Sequence, residues 1–513
     1  MIDLTPALRL YARGRRAKLA KLNNIEEQWR QLIALVRKAA MTRFGREHGF
    51  QGITDVAAFQ AAVPLRRYDD FWRGYWRPAF PVLEDVSWPG RVPFFAVTSG
   101  TTSGASKYIP VTRAMNRSNV RAGLDLLSHH VAHRPRSKIF GGKSFMLGGS
   151  TDLVREAKDI YSGDLSGIAI KRLPWWAGPI AFPPLKIALM SDWEKKIERL
   201  AALAPSADIR AITGTPSWLL ILFDRQQANA GRQVSARDLY PHLEMLVHGG
   251  VNFKPYRARF EQFLNGGAEL REVYPASEGF IALQDETPAD GLRLITDNGL
   301  FFEFVPVDEL DSANPTRHWL KNVERDVNYA IVLSTCAGAW GYIIGDTVRF
   351  VSLSPPRIVI TGRTSYTLSA FGEHLIGEEI EDAVAKAAEA QGLTVTDFSV
   401  GAIYPTRAGD LGGHLYIVEF QHAATTSIDA FAGLIDERLK ACNDDYRAHR
   451  AEGFGMRAPE VYAVPPGTFA AWMKARGRLG GQNKVPRIIN DQALFADLVR
   501  FTFPERAGIL PAR

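Results

Sequence analysis

The sequence predicts an α/β fold with mainly parallel sheets, and three observations predict it. Short runs rich in β-formers, such as "VPFFAV" (92–97), "DIRAITG" (208–214) and "LEMLVHGG" (243–250), are apolar and bounded by turn residues. Between them lie stretches with apolar residues at helical spacing, "MNRSNVRAGLDLLSHHVAH" (115–133) and "SDWEKKIERLAALA" (191–204). A chain of 513 residues, 46% hydrophobic and 23% charged, is globular and too long for one compact core, so at least two domains follow.

Residues 1 to about 50 read as helices, with helical spacing clearest in "IEEQWRQLIALVRKAAMTRF". The aromatic, proline-containing stretch "YDDFWRGYWRPAFPVLEDVSWPG" (68–90) reads as loop-rich. From about 299 to 362 the pattern changes to short strands: "GLFFEFVPV", "YAIVLST", "DTVRFV" and "RIVITG". A fresh helix, "GEEIEDAVAKAAEAQG", and the strands "DFSVGAIYP" and "GHLYIVEF" then restart the pattern. That restart places a domain boundary near Arg363, dividing the chain into 1–362 and a smaller α+β domain, 363–513.

The net charge of +7 is spread along the chain. Its one denser patch, "RLYARGRRAKLAKL", reads as the solvated face of a helix, so no nucleic-acid partner is expected. Cys336 and Cys442 are far apart and without metal-ligand spacing, which excludes a disulfide scaffold and a cysteine-rich zinc site and fits a reducing compartment. No window offers about 18 uninterrupted apolar residues, and the N-terminus lacks the apolar core of a signal peptide. A cytoplasmic protein without a membrane partner is the expectation.

The chemistry starts at "TSGTTSGASK" (98–107), directly after a strand. Gly100 and Gly104 allow a tight turn, and its N–H groups with the hydroxyls of Ser99, Thr101, Thr102 and Ser103 suit an anion. Lys107 adds a positive charge, so a phosphate cradle is the hypothesis. Gly104 is followed by Ala105 and Ser106, so this is not the P-loop spacing. Four other stretches accompany it: "VYPASEGF" with Glu278 in a small-residue turn, "YIIGDTVRF" with Asp346 after a glycine at the start of a strand, "GRTSYTLSAFGE" (362–373), and "GRLGGQNKVPRI" with Lys484 in a glycine-rich loop. Each alone reads as an ordinary turn, cap or exposed lysine. In this order, the five describe an enzyme that uses ATP to adenylate a carboxylate. His129, His130 and His133 share a helix and read as a solvated or packed surface rather than a metal site.

Together, "TSGTTSGASK", "YPASEG", "GYIIGD", "TGR…FGE" and "GGQNKVPR" resemble the adenylate-forming superfamily. Residues 191–225, the Ser-Glu pair of "YPASEGF" and the closing Lys-x-Pro-Arg resemble one branch, the Gretchen Hagen three (auxin-responsive) acyl acid amido synthetases. The resemblance implies a large N-terminal adenylate-forming domain with mixed or parallel sheets and flanking helices, and a smaller, mobile C-terminal domain. It implies ATP and Mg²⁺, a small carboxylic acid and an amine, usually an amino acid, as substrates. It implies that residues 99–104 and Lys107 hold the ATP phosphates and that Glu278 holds Mg²⁺. Gly249, Gly250, Tyr274, Pro275, Ala276 and Ser277 would shape the nucleotide slot, and Asp346 would accept from the ribose. Lys484 and Glu278 would be the catalytic pair, with a hinge at Arg363, Thr364 and Ser365. Two positions depart from the superfamily: Ser365, where Asp or Lys is common, and Ile343 with Ile344, which intervene before the Gly-Asp pair. An acid–CoA ligase and a non-catalytic small-acid binding protein are the alternatives.

Overall fold

A computed structural model of the protein describes residues 3–98, 107–148, 153–190, 192–250, 253, 256–286, 290–310, 312–364, 367–373, 375–405, 410–421, 427–451, 455–476 and 485–504. These group into two compact units. One comprises Met1–Thr98, Lys107–Phe253 and Phe260–Thr364; the other is Ser365–Arg513 with Lys254–Arg259.

The first unit is built on a mixed sheet, eleven strands wide among the described residues. In one half, Ala181–Phe182, Lys143–Leu147, Ile209–Gly214, Met245–Gly249 and Glu269–Ala276 run parallel. In the other half, Gly279–Leu283, Leu292–Leu294, Pro356–Arg363, Tyr342–Leu353, Asn328–Thr335 and Leu300–Pro306 are antiparallel. The mainly parallel expectation therefore holds for only half of the sheet. The physical reason is connection length: Ala276 pairs with Gly279 and Leu353 with Pro356 across turns of two residues, which only antiparallel neighbours permit. Helices such as Trp193–Leu203 and Pro216–Ala230 are the crossovers of the parallel half.

"VPFFAV" forms the strand Phe94–Thr98, but it joins a separate four-stranded sheet. There it pairs antiparallel with Lys107–Val111, the last pair being Thr98 with Lys107. The long helix Arg113–His133 follows at once. Thr112 caps it, accepting from the Met115 amide at 3.1 Å and donating to the Cys336 carbonyl at 2.7 Å. The stretch 68–90 contains short helical turns, Tyr68–Phe71, Trp72–Trp76 and Arg77–Ala79, because its aromatic side chains pack inward against Phe44 and Tyr342. Trp340, fully buried, gathers Phe44, Phe50 and Phe59 around it. The helix Asn24–Ala39 is tied to the sheet by Gln28, which donates to the carbonyls of Thr296 and Leu300 and accepts from the Phe302 amide.

The second unit carries the strands Val395–Ile403 and Gly413–Phe420, paired antiparallel, with Glu460–Val464 added in parallel. Helices Gly377–Gln391, Ile428–Cys442, Thr468–Ala475 and Gln492–Thr502 flank them. Among the described residues, no helix is long and apolar enough to cross a membrane.

Candidate active site

The Glu278 carboxylate sits where the sheet changes from parallel to antiparallel. Ser277 and Glu278 form the two-residue turn between Glu269–Ala276 and Gly279–Leu283. Glu278 is half-buried. Burial pushes its carboxyl above the usual carboxylate range; the Lys107 charge opposes that shift, the Asp346 charge adds to it, and a Tyr342 hydroxyl hydrogen bond favours the anion. Glu278 is thus a carboxylate whose negative charge is incompletely compensated.

Asp346 arrives from the strand Tyr342–Leu353, four residues in, not at a strand start as the sequence suggests. The strand begins earlier because Tyr342 and Ile343 already pair with Leu333 and Val332. Gly345, at φ +96°, takes the left-handed backbone that turns the chain at this point. The Tyr274 hydroxyl donates to Asp346 Oδ2 at 2.5 Å. Lys107 lies with its ammonium 5.5 Å from the centre of the Tyr68 ring, and the Tyr68 hydroxyl accepts from the Tyr108 amide at 2.9 Å.

The neighbouring candidates follow from register. Gly249 pairs with Val273, one residue before Tyr274; a Cβ on Gly249 would lie 2.2 Å from the Val273 carbonyl oxygen, so the close strand approach requires glycine. Gly250 follows it out of the sheet, and Pro275 and Ala276 continue from Tyr274 toward Glu278, with Pro275 exposed. Arg363 pairs with Asp346, and the Thr364 amide donates to the Gly345 carbonyl at 2.6 Å, so this pair closes the strand beside Asp346.

The structure therefore brings together Lys107, Tyr274, Glu278 and Asp346, with Gly249, Gly250 and Thr364 alongside. Ser99, Gly100, Thr101, Thr102, Ser103, Gly104, Ser365 and Lys484 lie outside the described residues. The chain just beyond Lys484 is firmly held in the second unit. The Pro486 carbonyl accepts from Ser399 Oγ at 2.7 Å, the Arg487 carbonyl from the Val400 amide at 2.8 Å, and Arg487 pairs with Asp397 over the Phe398 ring. Two residues at the corner escaped the sequence reasoning. Tyr342 stood in "GYIIGD" but was given no role, and Tyr68, in the aromatic stretch, carries no sequence signal for Lys107.

The histidines behave as the packed helix surface expected of them. His130 is fully buried between two carboxylates, Glu269 at 2.5 Å from Nδ1 and Glu244 at 3.3 Å from Nε2, the first at the start of one sheet strand and the second just before another. Among the described residues, no group of three or more His, Cys, Asp or Glu side chains is arranged to hold a metal. Cys336 and Cys442 are both free thiols.

Three family models match this chain: "GH3 family N-terminal domain" over residues 15–159 and 150–268, "GH3 family central domain" over 293–363, and "GH3 family C-terminal domain" over 378–493. The chain is 24% identical to indole-3-acetic acid-amido synthetase GH3.8 of Oryza sativa subsp. indica, covering 99% of this chain and 95% of that one. It is 22% identical to indole-3-acetic acid-amido synthetase GH3.3 of Arabidopsis thaliana, over 88% and 87%. Among solved structures, it shares the fold of AtGH3.15 acyl acid amido synthetase in complex with 2,4-DB, with a TM-score of 0.60, 18% identity and 94% of each chain covered. It shares that fold also with 2-hydroxyisobutyryl-CoA ligase in complex with 2-HIB-AMP and CoA, at a TM-score of 0.55 and 17% identity over 91% and 90% of the chains.

Proposed function

The chain belongs to the GH3 family, and we propose that it is an ATP-dependent acyl acid amido synthetase that adenylates a small carboxylic acid and passes the acyl group to an amine, most naturally an amino acid. One observation carries the site assignment: Lys107, Asp346 and the hairpin residues Tyr274 and Glu278, from three separate stretches of sequence, meet at the sheet's change of direction, where Glu278 keeps an undercompensated carboxylate. Open α/β sheets bind ligands outside the carboxyl ends of their parallel strands, and two such strands end here at Gly249 and Ala276.

A carboxylate resists acyl transfer because its oxygen is a poor leaving group. Attack on the α-phosphorus of ATP replaces that oxygen with AMP and expels pyrophosphate. Negative charge accumulates on the phosphates, so the protein must answer with cations and N–H donors. Residues 99–104 with Lys107 serve the phosphates. Asp346, its geometry fixed by the Tyr274 hydroxyl, accepts from the ribose. Gly249, Gly250 and Tyr274 to Ser277 shape the adenine side. Mg²⁺ fits the corner: Glu278 is an oxygen donor whose charge is raised in energy by burial and by Asp346, and a cation there relieves both. When bound, the ion supplies charge neutralisation to the phosphates. Lys484 bridges the acid and the α-phosphate, and the domain beyond Arg363 to Ser365 turns to withdraw it before the amine attacks.

ATP–pyrophosphate exchange across aryl, indolyl and aliphatic acids, followed by amine screening with the best acid, tests the reading. The amino acid, not CoA, should consume the adenylate; consumption by CoA alone would replace this reading with the acid–CoA ligase, whose fold the chain also shares. Lys484→Ala should slow adenylation by roughly a hundredfold while sparing amide formation from supplied acyl-adenylate. Equal loss in both steps would rule out withdrawal of the lysine.

A further inference from the structure

On the face of the helix Arg113–His133 turned away from the core, a groove of about 450 Å³ opens toward residues 171–174. Four of its lining side chains are cationic: Arg117, Arg121, Lys171 and Arg172. Val120, Leu124 and Leu173 give it apolar patches. Among the described residues, no carboxylate lines it. Among the described residues, the surface beside these cations neutralises them only in part. Lys171 rests 3.4 Å over the Tyr161 ring and Arg172 lies 5.8 Å from the Phe94 ring, so aromatic faces stand where acids would. Arg121 reaches Asp297 only at 3.5 Å, and that carboxylate already accepts from Arg15 at 2.6 and 2.7 Å.

Four like charges around one concavity repel each other unless an anion sits among them, and a concave site strengthens the field that such an anion feels. We propose that this groove binds a small organic polyanion, carrying phosphate or carboxylate groups on an apolar frame, at a site separate from the adenylation corner. Its size suits a ligand of metabolite dimensions. The guanidinium groups of Arg117 and Arg172 offer planar two-pronged recognition to either acid group. Val120 and Leu124, one turn apart, meet the carbon frame. The opposite face of the same helix reaches the active corner: Met115 Cε lies 3.5 Å from where a Cβ on Gly279 would stand, next to Glu278. One helix therefore separates the two sites.

Trp175, 90% exposed and immediately after the groove's Pro174, provides a reporter. Tryptophan fluorescence of the full chain at low ionic strength, titrated with citrate and with ribose 5-phosphate, should change saturably with at least one probe, and the probe that binds distinguishes carboxylate from phosphate preference. Trp175→Phe should abolish the signal while calorimetry still reports binding. In Arg117→Ala/Arg172→Ala, affinity should fall roughly tenfold or more, since two charge-assisted contacts are removed. ATP–pyrophosphate exchange without the probes should be unchanged in that variant. Equal affinity in wild type and double variant, or no saturable binding of either probe, would overturn the proposal.

Discussion

The strand Glu269–Ala276 and the turn beyond it carry a glutamate at each end, and the two sit in opposite electrostatic worlds. Glu269 is buried, and burial alone would push its carboxyl up. The hydrogen bond from His130 and the charge of Arg271 overcome this and bring it to about 2. Arg271, fully buried, donates to Glu269 Oε1 at 2.9 Å and to the Gln284 carbonyl at 3.2 Å. Glu278, nine positions later, is pushed the other way, because Lys107 and Tyr342 compensate it less than burial and Asp346 disfavour it. One end is a finished ion-pair network whose charges answer each other, and at the other end a cation would complete the compensation if the proposed function holds. Burial of charge does not mark the site; incomplete compensation does.

The sharpest way to break this contrast is to remove a partner at the finished end. Arg271→Met leaves Glu269 and His130 without their guanidinium in a buried setting, and losing one member of such a network costs about 3–5 kcal/mol. A chemical denaturation midpoint should fall accordingly, while the folded fraction keeps its affinity for ATP. Loss of nucleotide binding at unchanged stability would mean that the two ends are not functionally distinct.

At the other end the expected cost is to activity rather than to fold. Glu278→Gln keeps the shape and removes the charge, so ATP–pyrophosphate exchange should drop roughly a hundredfold or need far more magnesium. The melting temperature at neutral pH should stay level or rise, because the charged form of a carboxyl with a raised pKa is the disfavoured one. A falling melting temperature would show that Glu278 is a structural turn residue. A smaller effect is expected from Tyr274→Phe, which removes one hydroxyl contact to Asp346. Losing such a bond costs about 1 kcal/mol, which is roughly a fivefold rise in the KM for ATP with kcat nearly kept.

Only the Glu278 end of this contrast was legible in the sequence, and the missing part has a physical reason. Local pattern was enough for the helix Arg113–His133, two strands of the parallel half, Ile209–Gly214 and Met245–Gly249, and the turn at Glu278, because each depends on near neighbours. Glu278 and Asp346 were readable as chemistry because glycine-bounded turns isolate them. The antiparallel half, with Leu292–Leu294 wedged between strands from 279 and 356, depends on long-range pairing that no local period reports. The partners of His130 come from Glu244 and Glu269, over a hundred residues away, so its helix looked like any surface. Tyr68 reaches Lys107 only because the aromatic stretch folds inward.

The finest test of the comparison is its pH dependence, since the two ends respond in distinguishable ranges. Burial alone would lower the His130 pKa, but hydrogen bonds to Glu244 and Glu269 raise it above its ordinary 6.5. Both ring nitrogens face carboxylates, and the cations around these are Arg271 at 2.9 Å and Arg134 at 3.6 Å from Glu269 and Arg210 at 3.6 Å from Glu244. A raised folded-state pKa means that the stabilisation is fully present below 6.5 and is lost as pH rises through the higher folded value. The lowered Glu269 gives the reverse: its contribution is present above the ordinary 4.5 and disappears as pH falls toward about 2. The finished end is therefore strongest between these limits and weakens on both sides. Melting curves of wild type and His130→Gln at pH 5.5 and pH 9 separate the terms: wild type should lose more stability than the variant over that rise. Glu278→Gln should respond differently, gaining on wild type as pH rises above 4.5, where the unfolded chain releases the Glu278 proton that the native site, with its raised pKa, still holds. Parallel curves for wild type and His130→Gln would show that His130 stays neutral between its two carboxylates, and the contrast between the two ends would then rest on Arg271 alone.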